Sequence, residues 1–272
     1  MASIETGAVL PEAAQVPPPS AAPPRARVAR AGYADFFESL LVTILIALFG
    51  TTFILQAFKI PSQSMEPTLL VGDHLLVNKF IFGGTGAWYE KFLPYRPVRR
   101  GDIIVFKFPF DDHPHYVKRV IGLPGERIRI VNQQVFVDGS LLNEPYVVHD
   151  PSQDDPFADN FPPENDRFSR YNMRSEWAGQ IMGFVHNAAL VVPPDHYFVM
   201  GDNRDRSWDS RYWGFVDRRA IMGRPLFIYW SVAATAEDYN DRSLLGTIHG
   251  LEDGLIHLTS RTRWHRMLRE VH

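Results

Sequence analysis

Between Glu38 and Lys59 the chain runs for 20 residues, Ser39 to Phe58, without a formal charge. About 20 apolar residues in a helix cross the ~30 Å hydrocarbon core of a bilayer. The run therefore predicts a single membrane anchor over 36–59. Its length, and its start 38 residues into the chain, set it apart from a cleaved signal peptide or a buried core helix. From Asp73 the pattern changes to short runs rich in Val, Ile and Phe, separated by Gly and Pro: His74 to Phe80, Asp102 to Phe108, Tyr116 to Leu123, Glu126 to Val131, Gln134 to Asp138, His196 to Met200 and Leu226 to Trp230. Runs of this kind read as strands. Asn132-Gln133 lies between two alternating runs, as a hairpin turn does. No helix-period segment separates successive runs, which argues against parallel βαβ units. The expected fold is mostly β, an antiparallel β-sheet domain preceded by one transmembrane helix.

The same pattern divides the chain. Residues 1–35 are rich in Ala and Pro and almost without aromatics, so they bury too little surface to fold and read as a disordered tail. Arg25, Arg27 and Arg30 precede the apolar run and, by the positive-inside rule, hold that tail in the cytoplasm, with everything after the run outside. The β domain is expected in two parts, 60–142 and 193–235. Between them, 143–192 shifts to Asp, Asn, Pro and scattered aromatics. It reads as an inserted cap or loop region, either a solubilising one or one beside the cleft that restricts what docks. In the C-terminal segment 236–272, Leu251, Leu255 and Leu258 stand near helical spacing and Arg261, Arg263, Arg266 and Arg269 follow. A terminal helix is expected there, solvated or laid on anionic lipid.

Composition narrows the chemistry. A formal net charge of −3 offers no dominant basic surface to release phosphate counterions, so no nucleic-acid partner is expected. Zero cysteines exclude disulfides, thiol catalysis and thiolate metal sites. No P-loop or dinucleotide fingerprint is present, and no cofactor is implied.

The candidate chemistry lies in three stretches. Ile60-Pro-Ser-Gln-Ser-Met-Glu-Pro-Thr-Leu-Leu70 places two hydroxyls between two prolines, which hold the residues around Ser62 and Ser64 between stiff points. A serine on its own reads as a turn or N-cap residue, and it attacks nothing at neutral pH without a base. Tyr116-Val-Lys-Arg-Val-Ile-Gly-Leu-Pro-Gly-Glu126 supplies one, because Lys118 interrupts an apolar strand-like run. Turned inward, it loses hydration and its pKa falls from about 10.4 towards neutrality; turned outward, it is a strand lysine with a packed stem. Arg119 faces the opposite way. Gly201-Asp-Asn-Arg-Asp-Arg-Ser-Trp-Asp-Ser-Arg-Tyr-Trp-Gly214 is dense in paired charges and hydroxyls, as a scaffold for such a base would be. His74, His113 and His115 offer a Ser-His-Asp alternative, and Asp111-Asp-His-Pro-His115 has the makings of a metal cluster, although Asp and His are ordinary in a Pro-containing turn. No metal site is expected.

Together these stretches, with Arg100-Gly-Asp-Ile-Ile-Val-Phe106, resemble the type I signal peptidases, membrane-anchored Ser/Lys proteases that remove signal peptides from exported proteins. The resemblance covers roughly 36–142 and 190–230. It implies Ser64 as nucleophile, Lys118 as general base, Ser62 in the oxyanion hole with the Ser64 N–H, and Ser207 orienting the lysine. It also implies a charge pair between Arg119 and Asp202, beside which Asp209 and Arg211 look like a second, and a substrate pocket walled by Phe58, Ile60, Leu75, Val105 and Val117. The expected partners are the signal peptides of preproteins and the lipid bilayer. The expected location is the cytoplasmic (inner) membrane, single-pass, with the catalytic domain on the periplasmic or extracytoplasmic face. Arg206 departs from the family pattern, where many members carry a small polar residue. A reading of another class is a catalytically inactive, membrane-tethered β module that binds exported peptides.

Overall fold

The computed structural model describes residues 32–82, 95–108, 115–150, 152, 155–163, 172–234 and 260–272. The tail 1–31, His113 with Asp111 and Asp112, and residues 235–259 lie outside the described residues. Two compact units divide after Ile44.

The charge-free run does not fold as one helix. Helix α1 takes Tyr33–Phe49, a π-helical turn takes Gly50–Ile54, and strand β1 takes Leu55–Lys59. At about 1.5 Å per residue, α1 is ~25 Å long, short of the ~30 Å core. No helix among the described residues is long and apolar enough to cross a membrane. This corrects the expected transmembrane helix. The α-helix ends at Gly50, a poor helix former, and the backbone groups of Leu55–Lys59 find better partners in an antiparallel ladder with β2. Along α1, Leu41, Leu45, Ile46, Leu48 and Phe49 are each more than half exposed.

The remaining strands are β2 (Asp73–Asn78), β3 (Ile103–Lys107), β4 (His115–Gly122), β5 (Arg127–Val131), β6 (Gln134–Val137), β7 (Ser140–Leu141), β8 (Val185–His186), β9 (Ala189–Val191), β10 (His196–Met200), β11 (Val216–Asp217) and β12 (Ile221–Ser231). They form a seven-stranded sheet in the order β1-β2-β12-β3-β4-β10-β11 and a five-stranded sheet in the order β7-β6-β5-β9-β8. Every strand pair in both sheets is antiparallel. The β5–β6 hairpin turns on Asn132 and Gln133, both at positive φ, which matches the right-handed twist of the flanking strands.

Two cores fill these sheets. The larger includes Ile104, Phe106, Val120, Ile121, Ile128 and Phe198. The segment 143–192 joins it: Phe157 and Phe161 pack edge to face, Trp177 and Ile181 are buried, and β8 and β9 extend the second sheet from β5. The smaller core gathers Ile60, Met65, Leu69, Leu75, Val77, Ile103, Val105, Ile228 and Val271 around the serine-bearing loop.

Val271 belongs to that smaller core because residues 260–272 do not form the expected basic helix. Apart from one turn at Trp264–Arg266, they run beside β12, with Ile228, Leu226 and Ser231 bonded to Arg269, Val271 and Arg263. Arg266, expected on a solvated or lipid-facing helix, is buried and donates to both carboxylate oxygens of Asp73 and to the Thr68 carbonyl. A buried cation finds its carboxylate more favourably than it finds water or a headgroup. Leu251, Leu255 and Leu258 lie outside the described residues.

Candidate active site

Ser64 occupies a single tight turn, Gln63–Met65, between Pro61 and the cis Glu66-Pro67 bond. Its carbonyl accepts from the Asn203 N–H at 3.2 Å. Gly201 lies against the same carbonyl: a Cβ there would fall within van der Waals contact of the Ser64 oxygen and the Ser207 hydroxyl, so only glycine fits. Ser64 is thus fixed from the glycine-aspartate stretch although 137 positions separate it from Gly201.

Lys118 comes from the middle of β4, opposite Ile104 of β3. The lysine is 3% exposed and Ser64 6%. Lys118 Nζ lies 2.5 Å from Ser64 Oγ, and Ser62 Oγ lies 3.3 Å from the same oxygen. Burial pushes the lysine pKa from 10.5 down to about 8, with Arg211 adding to the fall and Asp209 and Asp202 opposing it. Desolvation disfavours the ammonium form and the nearby carboxylates favour it; desolvation is the larger effect.

The neighbouring charges are buried and paired. Arg119 donates to both oxygens of Asp202 at 2.8 and 2.7 Å, and Thr68 donates to Asp202 at 2.5 Å. Asp209 is wholly buried and accepts from Arg211, from the Gly201 N–H and from the Ser207 hydroxyl. Burial pushes the Asp209 carboxyl up, but Arg211, Ser207 and Lys118 together outweigh it and hold it below its ordinary range. Ser207 therefore donates its one hydroxyl proton to Asp209 at 2.7 Å and accepts from Gly201, and Lys118 is not among its hydrogen-bond partners.

The five residues expected to wall a substrate pocket meet in the smaller core. Phe58 pairs with Leu75 across β1–β2, and Val105 with Val117 across β3–β4. Ile60, Leu75 and Val105 are buried; Phe58 and Val117 pack on them partly buried. Neither described histidine bonds the Ser64 hydroxyl, whose partners are Lys118 and Ser62: His74 lies tilted against Trp230 and His115 meets the Phe58 ring edge-on. Among the described residues no group of three His, Asp or Glu is placed to hold a metal ion.

The profile of the family described as "Signal peptidase, peptidase S26" matches residues 33–230. The chain belongs to this family. Signal peptidase I of Pseudomonas aeruginosa is 33% identical over 219 residues, which cover 72% of each chain. The Aquifex aeolicus signal peptidase I is 34% identical over 222 residues, 71% of this chain and 82% of the relative. That of Leptolyngbya laminosa is 31% identical over 238 residues, 82% and 92% respectively. The chain is accordingly a peptidase of antiparallel β architecture.

Several members of this peptidase's site were not legible from sequence. The Tyr146 ring lies 3.9 Å from the Arg119 guanidinium, and Glu144 pairs with the buried Arg204. Both partners come from the segment 143–192, read from sequence as an inserted cap or loop, where an isolated Glu or Tyr carries no periodic signal. A Glu and an Arg 60 positions apart become a pair only once Val148 bridges to Asn203.

Proposed function

We propose that the chain is a membrane-associated serine endopeptidase that cleaves signal peptides from exported preproteins, with Ser64 as nucleophile and Lys118 as general base. The carrying observation is the 2.5 Å approach of a buried lysine amine to a buried serine hydroxyl. With the amine neutral, the Ser64 O–H donates to it. Attack of Oγ on the scissile carbonyl then passes the proton to Lys118, which returns it to the leaving amine. The acyl-Ser64 ester is hydrolysed by a water that Lys118 deprotonates in turn. The Ser64 N–H, in a first turn without intrahelical partners, and the Ser62 hydroxyl support the developing oxyanion. Ser207 acts on the lysine through Asp209, to which it donates and whose charge acts on Lys118.

The test is cleavage of a preprotein by wild type and Ser64→Ala in parallel. Equal activity of the two would overturn the reading, and no activity of either would favour the inactive module. The family match gives that module no support. Lipid contact is assigned to α1, on its exposed apolar residues, and the outer-face location rests on Arg25, Arg27 and Arg30 before it.

The lysine pKa predicts the pH profile. Below about 8 the amine is protonated and blocked as a base, so kcat/KM is expected to rise about tenfold per pH unit and to level off above about 8. Replacing His74 or His115 leaves that limb in place; a limb that moved with either substitution would refute the assignment.

The pocket predicts small residues at the first and third positions before the cut. An extended peptide turns alternate side chains to one face. Here that face meets Phe58 and Val117, behind which Ile60, Leu75 and Val105 close the space. Each misfitting methylene costs about 1–3 kcal/mol, so kcat/KM on a preprotein series should fall steeply from Ala to Leu to Phe at both positions. Cleavage of Leu as fast as Ala at the first position would remove these residues from the wall. So would a failure of Ile60→Ala with Val117→Ala to admit larger side chains.

A further inference from the structure

Arg206 stands one residue before Ser207, and the structure gives it two partners. Its Nη1 donates to Gln63 Oε1 at 2.7 Å, and its Nε and Nη2 donate to Asp150 Oδ2 at 3.3 and 2.9 Å. Gln63 is the first residue of the turn that carries Ser64. Asp150 is itself anchored: its N–H donates to Asp205 Oδ2 at 2.5 Å, and two residues earlier Val148 pairs with the backbone of Asp202 and Arg204. The carboxylate's other oxygen accepts from the Ser152 hydroxyl and N–H. Ser152 and Arg206 together pull the Asp150 carboxyl down to about 2, so it stays charged at any pH at which the peptidase is assayed.

From this geometry we infer that Arg206 is a positioning residue of the reaction: it straps the side chain of Gln63, and with it the nucleophile's turn, to Asp150. The inference rests on the Ser64/Lys118 reading above. The loop 203–206 then holds the turn at two points, through the Asn203 N–H on the Ser64 carbonyl and through Arg206 on Gln63. The buried Met65 and the Asn203 contact hold the middle and end of the turn, and Arg206 adds a hold at its first residue, Gln63. Two points fix the direction in which Oγ faces the lysine and the scissile carbonyl. Neither Gln63 nor Arg206 is among the residues assigned to the apolar pocket, so the strap is expected to act on turnover rather than on binding. Arg206 is 43% exposed, and exposed ion pairs contribute little to stability. Loss of activity and loss of stability therefore separate here.

The experiment is a double-mutant cycle on the full chain with a preprotein substrate. Arg206→Ala and Gln63→Ala are each expected to lower kcat about tenfold, a small part of what a misplaced nucleophile can lose, with KM held within about twofold. The double variant should be no slower than either single, because both remove the same tether. Tm should stay within about 2 °C of wild type, and the acid limb of the pH profile should not move. Arg206→Lys, whose single ammonium cannot hold both partners, should recover part of the loss. The strap is overturned if Arg206→Ala turns over at the wild-type rate, if the two losses multiply in the double variant, or if the acid limb shifts, which would make Arg206 a charge acting on Lys118. An inactive wild type would instead bring down the Ser64/Lys118 reading, and the strap with it.

Discussion

Lys118→Ala is expected to lower kcat by on the order of 10⁴- to 10⁶-fold, Ser64→Ala by as much, and the double variant no further, because nucleophile and base act as one unit. Lys118→Met separates chemistry from packing, since it keeps the stem and removes the amine. The folded-state pKa of the lysine lies near 8 against an unfolded value of 10.5. At pH 6 both states are protonated and the folded state holds a buried ammonium with a single hydroxyl partner; between about 8 and 10.5 the unfolded chain binds more protons, and stability rises with pH. Lys118→Met should therefore be inactive yet melt higher than wild type at pH 6, by an increment that shrinks above pH 8. Measured turnover within tenfold of wild type in either lysine variant would end the dyad assignment.

Asp209→Ala is expected to destabilise the domain by about 3–5 kcal/mol, since removing one member of a buried pair leaves the other charge uncompensated. Arg211, 2% exposed, would keep only backbone carbonyl acceptors, those of Arg204 and Ser207. The Gly201 N–H would lose one of its two acceptors, and the Ser207 hydroxyl would lose its own. Cleavage should fall as well, because Gly201 abuts the Ser64 carbonyl. The check is urea unfolding followed by circular dichroism, with the midpoint lowered and the slope unchanged. A loss below about 1 kcal/mol would show that the loop 201–214 is held by other contacts.

Local pattern carried most of the longer strands and singled out Ser64 and Lys118, which the structure brings to 2.5 Å. β10 was legible to the residue, because His196 to Met200 is bounded by turn residues, and Lys118 drew notice because a lysine amid Val and Ile is costly unless it has a task. What sequence did not show is whatever depends on a partner far along the chain. Leu55–Lys59 reads as the end of an apolar helix until β2 offers it a ladder. Arg266 reads as one of four arginines that follow an apolar pattern of near-helical spacing until Asp73 is seen beside it. Ser207 illustrates a finer gap: the stretch announces a hydroxyl among charges, but which acceptor receives its proton depends on distances of a few tenths of an ångström.

The placement of β12 between β2 and β3 bears on when the enzyme comes into being. Ser64 leaves the ribosome well before Ile221–Ser231, and at 5–20 residues per second the interval is roughly 10–30 s. Until those residues arrive, the sheet that sets Ser64 against Lys118 lacks the strand that joins β2 to β3, and Asp73 waits longer still for Arg266. A peptidase assembled in this order is inert while it is being made. Until Ile221–Ser231 have emerged, the nascent chain carries Ser64 and Lys118 without the strand that joins their two halves of the sheet.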